Sequence, residues 1–424
     1  MPKIRDILIN RNFFFLWVGQ IISQFGDRLT QMALIKLIYQ KAPGSAYELA
    51  KLFIFVIIPV FIIGPVAGAY SDRWNKKYTM IISDLIRAVL VFLIPVYYFL
   101  VPTLQPIFPI YIIVFIVFSM VRFFLPAKMS IIPELVSQDK LLLANSLITT
   151  TGMIAAVLGL SIGGIFILPI FGVRAAFAIN SMTFLISAFF LFFMKTNHKK
   201  GAIKDSIYYI SRGIKKAVGK SIFLEIKEGI RYMLQYRKIH FVIGILFTLW
   251  SAIGASYIVI IVFVQRALGT ATEHLGLLAV FFGAGMFLGS IIYGRTGHLV
   301  SKTKAIFLSL ALSGVSIVQF VIFVTIYSNF SVAAALALAF GVFIAPVMIS
   351  SNTIVHELMP QELRGRAFSS LEAVMHLAFL IFMLIVSILA EFIDMFFILI
   401  AVGILCAYAG ILGLKHAAGR REGY

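Results

Sequence analysis

Apolar residues fill the 424-residue chain in about twelve stretches of mostly 21 to 28 residues, separated by short polar connectors. They run over 13–40, 49–71, 78–101, 107–127, 141–168, 172–194, 239–264, 274–294, 304–327, 331–355, 367–390 and 393–414. A bilayer core roughly 30 Å thick needs about 20 apolar residues per helix, so the pattern predicts twelve membrane-spanning helices. The longest connector, 195–238, is too short and too basic to build a core of its own. The expected fold class is an all-α polytopic membrane protein, with its functional site between its helices.

That connector divides the segments six and six. It carries twelve Lys or Arg against three acids. Ile203, Ile207, Ile210 and Ile214 recur at helical spacing, as do Ile222, Ile226 and Ile230, while Lys204, Arg212, Lys215 and Lys216 take other faces. Two readings fit: amphipathic helices held on the cytoplasmic leaflet by anionic lipid, or a flexible basic linker. The expected organisation is an N-terminal bundle at 1–194, the linker at 195–238 and a C-terminal bundle at 239–424. An internal repeat supports it. Gly64 and Gly68 in the second segment align with Gly285 and Gly289 in the eighth, and Glu134-Leu135 aligns with Glu357-Leu358 at nearly the same offset.

Composition agrees, with 61% hydrophobic and only 12% charged residues. The net charge of +19 would suit a nucleic-acid partner, but its distribution argues otherwise. With the N-terminus in the cytoplasm, 28 of the 36 Lys and Arg fall on the cytoplasmic side. Outside lie Lys41, Lys51, Arg174 and Arg266, and within helices lie Arg28, Lys36, Arg87 and Arg122. This is the positive-inside pattern, and it puts both termini in the cytoplasm. The first segment is too long for a signal peptide and carries Asp27, Arg28 and Lys36, so it is expected to stay as a helix. The single cysteine, Cys406, rules out an intramolecular disulfide.

Three motifs point to a family. Between the second and third segments stand Gly68, Asp72, Arg73, Asn75, Lys76 and Lys77. They resemble the major facilitator loop motif, with Asn75 at its second glycine, a residue that tolerates the left-handed turn. The resemblance implies that Gly68 permits close packing and that Asp72 and the basic residues latch the halves on the cytoplasmic side. In the second half Tyr293 stands at the aspartate position. Pro126-Ala127, Pro133-Glu134-Leu135 and Ala144-Asn145, with Pro360, Arg364, Gly365, Arg366 and Phe368, are similar to the branch containing macrolide-efflux and enterobactin-export proteins. Gly159, Gly163 and Gly164 are similar to the glycine-rich antiporter motif, with Leu160 where proline is usual. The implied fold is two six-helix pseudo-repeats in a bacterial inner membrane.

Three carboxylates lie inside the apolar windows away from their ends: Asp27, Asp84 and Glu372. An ionisable group there costs at least a few kcal/mol and needs a partner, a wet cavity or a job. Gln20, Gln24, Asp27 and Gln31 share one face of the first helix and suggest a cavity lining, with Asp27 the candidate proton or cation site. Alternatively, Arg28 or Lys36 neutralises Asp27 structurally. Asp84, Arg87 and Arg122 are expected at one depth, roughly 10 Å from the cytoplasmic helix ends, as a charge cluster beneath the loop. Glu372 and His376 stand one turn apart near midplane and read as a proton relay or an interhelical hydrogen bond. Trp250 and Tyr257 offer an aromatic wall or simple packing.

The expected function is proton-coupled efflux of an amphipathic small molecule by alternating access, without a cofactor or a nucleic-acid partner. A lysophospholipid flippase and a non-transporting membrane sensor are the alternatives. A transition-metal exporter fits poorly, because only Met32 in the first helix could join Asp27 as a ligand. Nothing suggests an enzyme. The Gly213 to Lys220-Ser221 stretch only faintly resembles a P-loop, with its glycine one residue too far away and no strand ahead.

Overall fold

A computed structural model describes residues 4–64, 67, 75–100, 107–137, 140–195, 237–270, 272–358 and 364–419. Among these residues the chain is helical and contains no strand. After a short turn at Ile4–Leu8 come α1 Arg11–Lys41, α2 Ala46–Ile62, α3 Lys76–Leu100, α4 Phe108–Leu135, α5 Leu141–Ile162 and α6 Leu168–Phe193. The second half gives α7 Arg237–Leu268, α8 Glu273–Thr296, α9 Lys302–Tyr327, α10 Phe330–Leu358, α11 Arg364–Leu389 and α12 Met395–Gly419. Each coincides with one apolar segment of the sequence. Among the described residues, eight runs are long and apolar enough to cross a membrane; one, Leu143–Phe193, spans both α5 and α6. Helices are the expected solution, since a helix satisfies its backbone polar groups within the segment.

The passage from α5 to α6 is irregular. A π-helical turn, Gly163–Ile167, follows α5, and α6 breaks at Gly172 with φ 78° and ψ 177°. That backbone region is essentially open to glycine alone. The break falls where the sequence pattern separates its fifth and sixth segments. Lys36 Nζ of α1 donates to the Leu168 carbonyl just before the break, at 3.0 Å, a favourable place for a cation because terminal carbonyls lack helical donors.

The chain divides into two compact units, 1–37 with 51–223, and 38–50 with 224–424. In the first, α3 packs against α4 and α6. The α1–α6 contact combines rings, Phe15 against Phe190 at 6.1 Å between centres, with a polar patch in which Asn180 Nδ2 donates to Thr30 Oγ1 at 2.6 Å and Thr183 Oγ1 donates to Asn180 Oδ1 at 2.9 Å. Gly26 makes the approach possible, since a Cβ there would lie 2.1 Å from both Asn180 and Thr183 oxygens. Phe13, Leu16, Met80, Ile131, Ile132 and Leu191 form a buried core.

The second unit repeats this packing six helices later. There α9 packs against α10 and α12, and α7 against α11 and α12. α8 and α10 meet through backbone: a Cβ on Gly285 would lie 2.0 Å from the Leu338 carbonyl oxygen, and one on Gly289 2.4 Å from that of Val342. Small residues let membrane helices touch this closely. The turn 38–50 belongs to this unit. Arg266 Nη2 donates to the Gly44 carbonyl at 2.6 Å, and Ser45 Oγ donates to Glu391 Oε1 at 3.0 Å. Cys406 lies buried in α12.

Candidate functional site

Asp84 and Arg87 are one turn apart on α3, so their side chains meet on one face. Arg87 Nη2 pairs with Asp84 Oδ1, and Arg87 Nη1 lies 3.6 Å from Asp27 Oδ2 on α1. The guanidinium carbon rests 4.2 Å from the Phe184 ring centre and 4.9 Å from that of Phe124. Two carboxylates therefore share one cation, which is held between two aromatic faces. Asp84 and Arg87 are closed off at 0% and 3% exposure, whereas 38% of the Asp27 side chain is accessible.

The sequence treats Asp27 and the Asp84–Arg87–Arg122 cluster separately; the structure joins Asp27 to Asp84 through Arg87. Asp27 finds its ion-pair contact on α3. The cations of its own helix bond elsewhere, Arg28 Nη1 donating to Gln31 Oε1 at 2.9 Å and Lys36 to Leu168. The glutamine stripe divides as well. Gln20 is buried, while Gln24 and Arg28 line a cavity of about 420 Å³ shared with α4 and α5.

Gly159 of α5 and Gly163 of the π-helical turn set this segment against α1. A Cβ on Gly159 would lie 2.5 Å from the Phe25 carbonyl oxygen, and one on Gly163 3.0 Å from Leu29 Cδ1. Gly164 is buried in the π-helical turn. The helix irregularity that proline provides elsewhere is present here without proline.

Gly68, Asp72 and Arg73 of the loop motif lie outside the described residues, as does nearly all of 195–238. The basic pair that follows is placed. Lys76 Nζ binds Glu134 and the Ser130 carbonyl near the end of α4, and Lys77 Nζ donates to the Phe192 carbonyl of α6 at 2.7 Å. Tyr293, at the aspartate position of the second half, shares a 2.6 Å hydrogen bond with Ser350 of α10. On α11, His376 stacks on Trp250 of α7 with ring centres 5.7 Å apart. Phe379 touches both Trp250 and Tyr257. Glu372 lies within α11, but its side chain is outside the described residues.

Sequence reasoning passed over Asn180, a buried amide inside an apolar segment, and Lys128, which it placed in a connector. The signal for Asn180 was present: a polar side chain in hydrocarbon needs an interhelical partner.

The family model of the Major Facilitator Superfamily matches residues 16–264 and 239–421. A protein of Bacillus amyloliquefaciens named as a bacilysin exporter, BacE, is 26% identical, the match covering 97% of each chain. Macrolide efflux protein A of Streptococcus pyogenes is 21% identical over 89% of each. The crystal structure of a bacterial homologue of the iron transporter ferroportin, in its inward-facing state, superposes with a TM-score of 0.72. That match covers 96% of this chain and 99% of the other at 16% identity, a likeness of fold.

Proposed function

This chain belongs to the Major Facilitator Superfamily, a multi-pass membrane transporter rather than an enzyme, and from that premise we propose that it exports an amphipathic small molecule in exchange for protons. The relatives named for efflux support the direction. The observation that carries proton coupling is the sharing of Arg87 by Asp84 and the accessible Asp27. A proton on Asp27 leaves Arg87 and Asp84 as a self-neutral buried pair and weakens the hold of α1 on α3. Gln24 and Arg28, within one turn of Asp27 on the same helix, line the cavity. Proton occupancy and cavity shape are therefore linked through one helix, and differential affinity between two states supplies the coupling. His376, with Glu372 one turn away, is a second group offered to the proton. The cycle is alternating access by the two pseudo-repeats, with both termini cytoplasmic and the protein in a bacterial inner membrane.

Proteoliposomes with an imposed pH gradient and a pH-sensitive dye inside test the reading. Amphipathic substrates should evoke proton movement in the wild type, and Asp27→Asn should abolish it. Wild-type transport rates with full gradient dependence in Asp27→Asn would sink the assignment.

A further inference from the structure

The cavity of the first unit carries a charge pattern that the proton reading leaves unused. Its volume of about 420 Å³ falls among the few hundred to ~1,000 Å³ of small-molecule sites. Two cations line it, Arg28 and Lys128, together with the amides of Gln24 and Asn145. No acid stands in its wall among the described residues. Asp27, next to Arg28 in sequence, is engaged with Arg87 of α3.

The Asp27 carboxylate acts on both cations through space, but neither has its hydrogen-bonding capacity filled by the protein. The exposed Arg28 directs one N–H to Gln31, and a guanidinium has five to give. The Lys128 ammonium is half-buried and makes no hydrogen bond or ion pair among the described residues. A cation partly withdrawn from water without a hydrogen-bonded partner is costly, and an anion in the cavity would supply one. Beside it the wall turns apolar through Ile132, Pro133 and Ile148. Met129 and Met153, 61% and 66% exposed, add flexible thioether chains that mould to an aliphatic body.

We infer that the exported molecule carries an anionic head, a carboxylate or phosphate, on an aliphatic body. The head lies on Arg28 and Lys128, and the body runs along Met129, Ile132 and Met153. This assignment rests on the export reading above and narrows it to a substrate class.

Equilibrium binding to the purified full-length protein in a neutral maltoside detergent tests the inference. Dodecyl phosphate should bind at least tenfold more tightly than dodecyltrimethylammonium, and inorganic phosphate alone only weakly. Arg28→Gln and Lys128→Gln should each weaken dodecyl phosphate tenfold or more, with recovery in Arg28→Lys and Lys128→Arg showing that the fold survives. Equal affinity for the two heads overturns the inference, as does unchanged anion binding in both glutamine variants. Inorganic phosphate binding as tightly as dodecyl phosphate overturns the amphipathic part. Comparing lysophosphatidate in liposomes with hexyl phosphate in water assigns the head to a membrane or an aqueous source, binding of either supporting the site. Wild-type proteoliposomes that move neutral or cationic amphipaths but no anionic one overturn this inference alone. Vesicles that move none of the three under a proton gradient overturn the export reading beneath it.

Discussion

Arg87 is the side chain with most depending on it. Removing it leaves Asp84 fully buried with no cation against it and frees Asp27 from α3. Breaking a buried pair from one side costs about 3–5 kcal/mol. Arg87→Ala should therefore lower the melting temperature sharply in detergent, while Arg87→Leu combined with Asp84→Asn should recover part of the loss. A double variant no more stable than Arg87→Ala would show that the pairing with Asp84 contributes little. Lysine is not equivalent here, because a point charge cannot reach two carboxylates and stack between Phe124 and Phe184 as the planar guanidinium does. All three charges were visible in the sequence as ionisable groups in apolar windows. Their union was not, because helical spacing relates Asp84 to Arg87 but says nothing about which helix faces Asp27. The same limit hid Lys128: its place in a cavity wall depends on α1 and α5, not on its neighbours in the chain.

At the level of helices, the apolar pattern located each of the twelve long helices among the described residues and even the narrow division between α5 and α6. It did not show how that division is made. Leu160 at the usual proline position removed the familiar sign of a bend, and the π-helical turn with Gly172 took its place. Gly172→Ala should be destabilised by about 1–3 kcal/mol, although open space around Gly172 would accommodate the added methyl. A melting temperature equal to wild type would mean that the backbone relaxes there. The α8–α10 contact fails for a different reason. Gly285→Val would drive a side chain into the Leu338 carbonyl, 2.0 Å from the first added carbon, so folded yield measured by size-exclusion fluorescence should collapse.

For the molecule as a whole, packing repeated at a step of six helices makes the two halves variations on one bundle. Gly64 and Gly285 occupy matching places by sequence, yet they pack differently. A Cβ on Gly64 would lie 4.0 Å from Arg122 Cδ, where its counterpart meets backbone. The charge triad and the cavity described here both belong to the first unit, and the aromatic cluster of Trp250, His376 and Phe379 to the second. Lys and Arg distribution expects both ends of the chain on the cytoplasmic face. A C-terminal tag should resist protease added to sealed right-side-out vesicles and be cut once they are permeabilised; cutting of intact vesicles would reverse the orientation. Cys406 opens a practical route to testing the proposed alternating access. It is the sole thiol in the sequence and only 7% accessible inside α12, so the native chain is already a nearly silent background for nitroxide labelling. One new cysteine at exposed Arg174 and another at Phe392, 83% accessible, would turn the unaltered framework into its own molecular ruler.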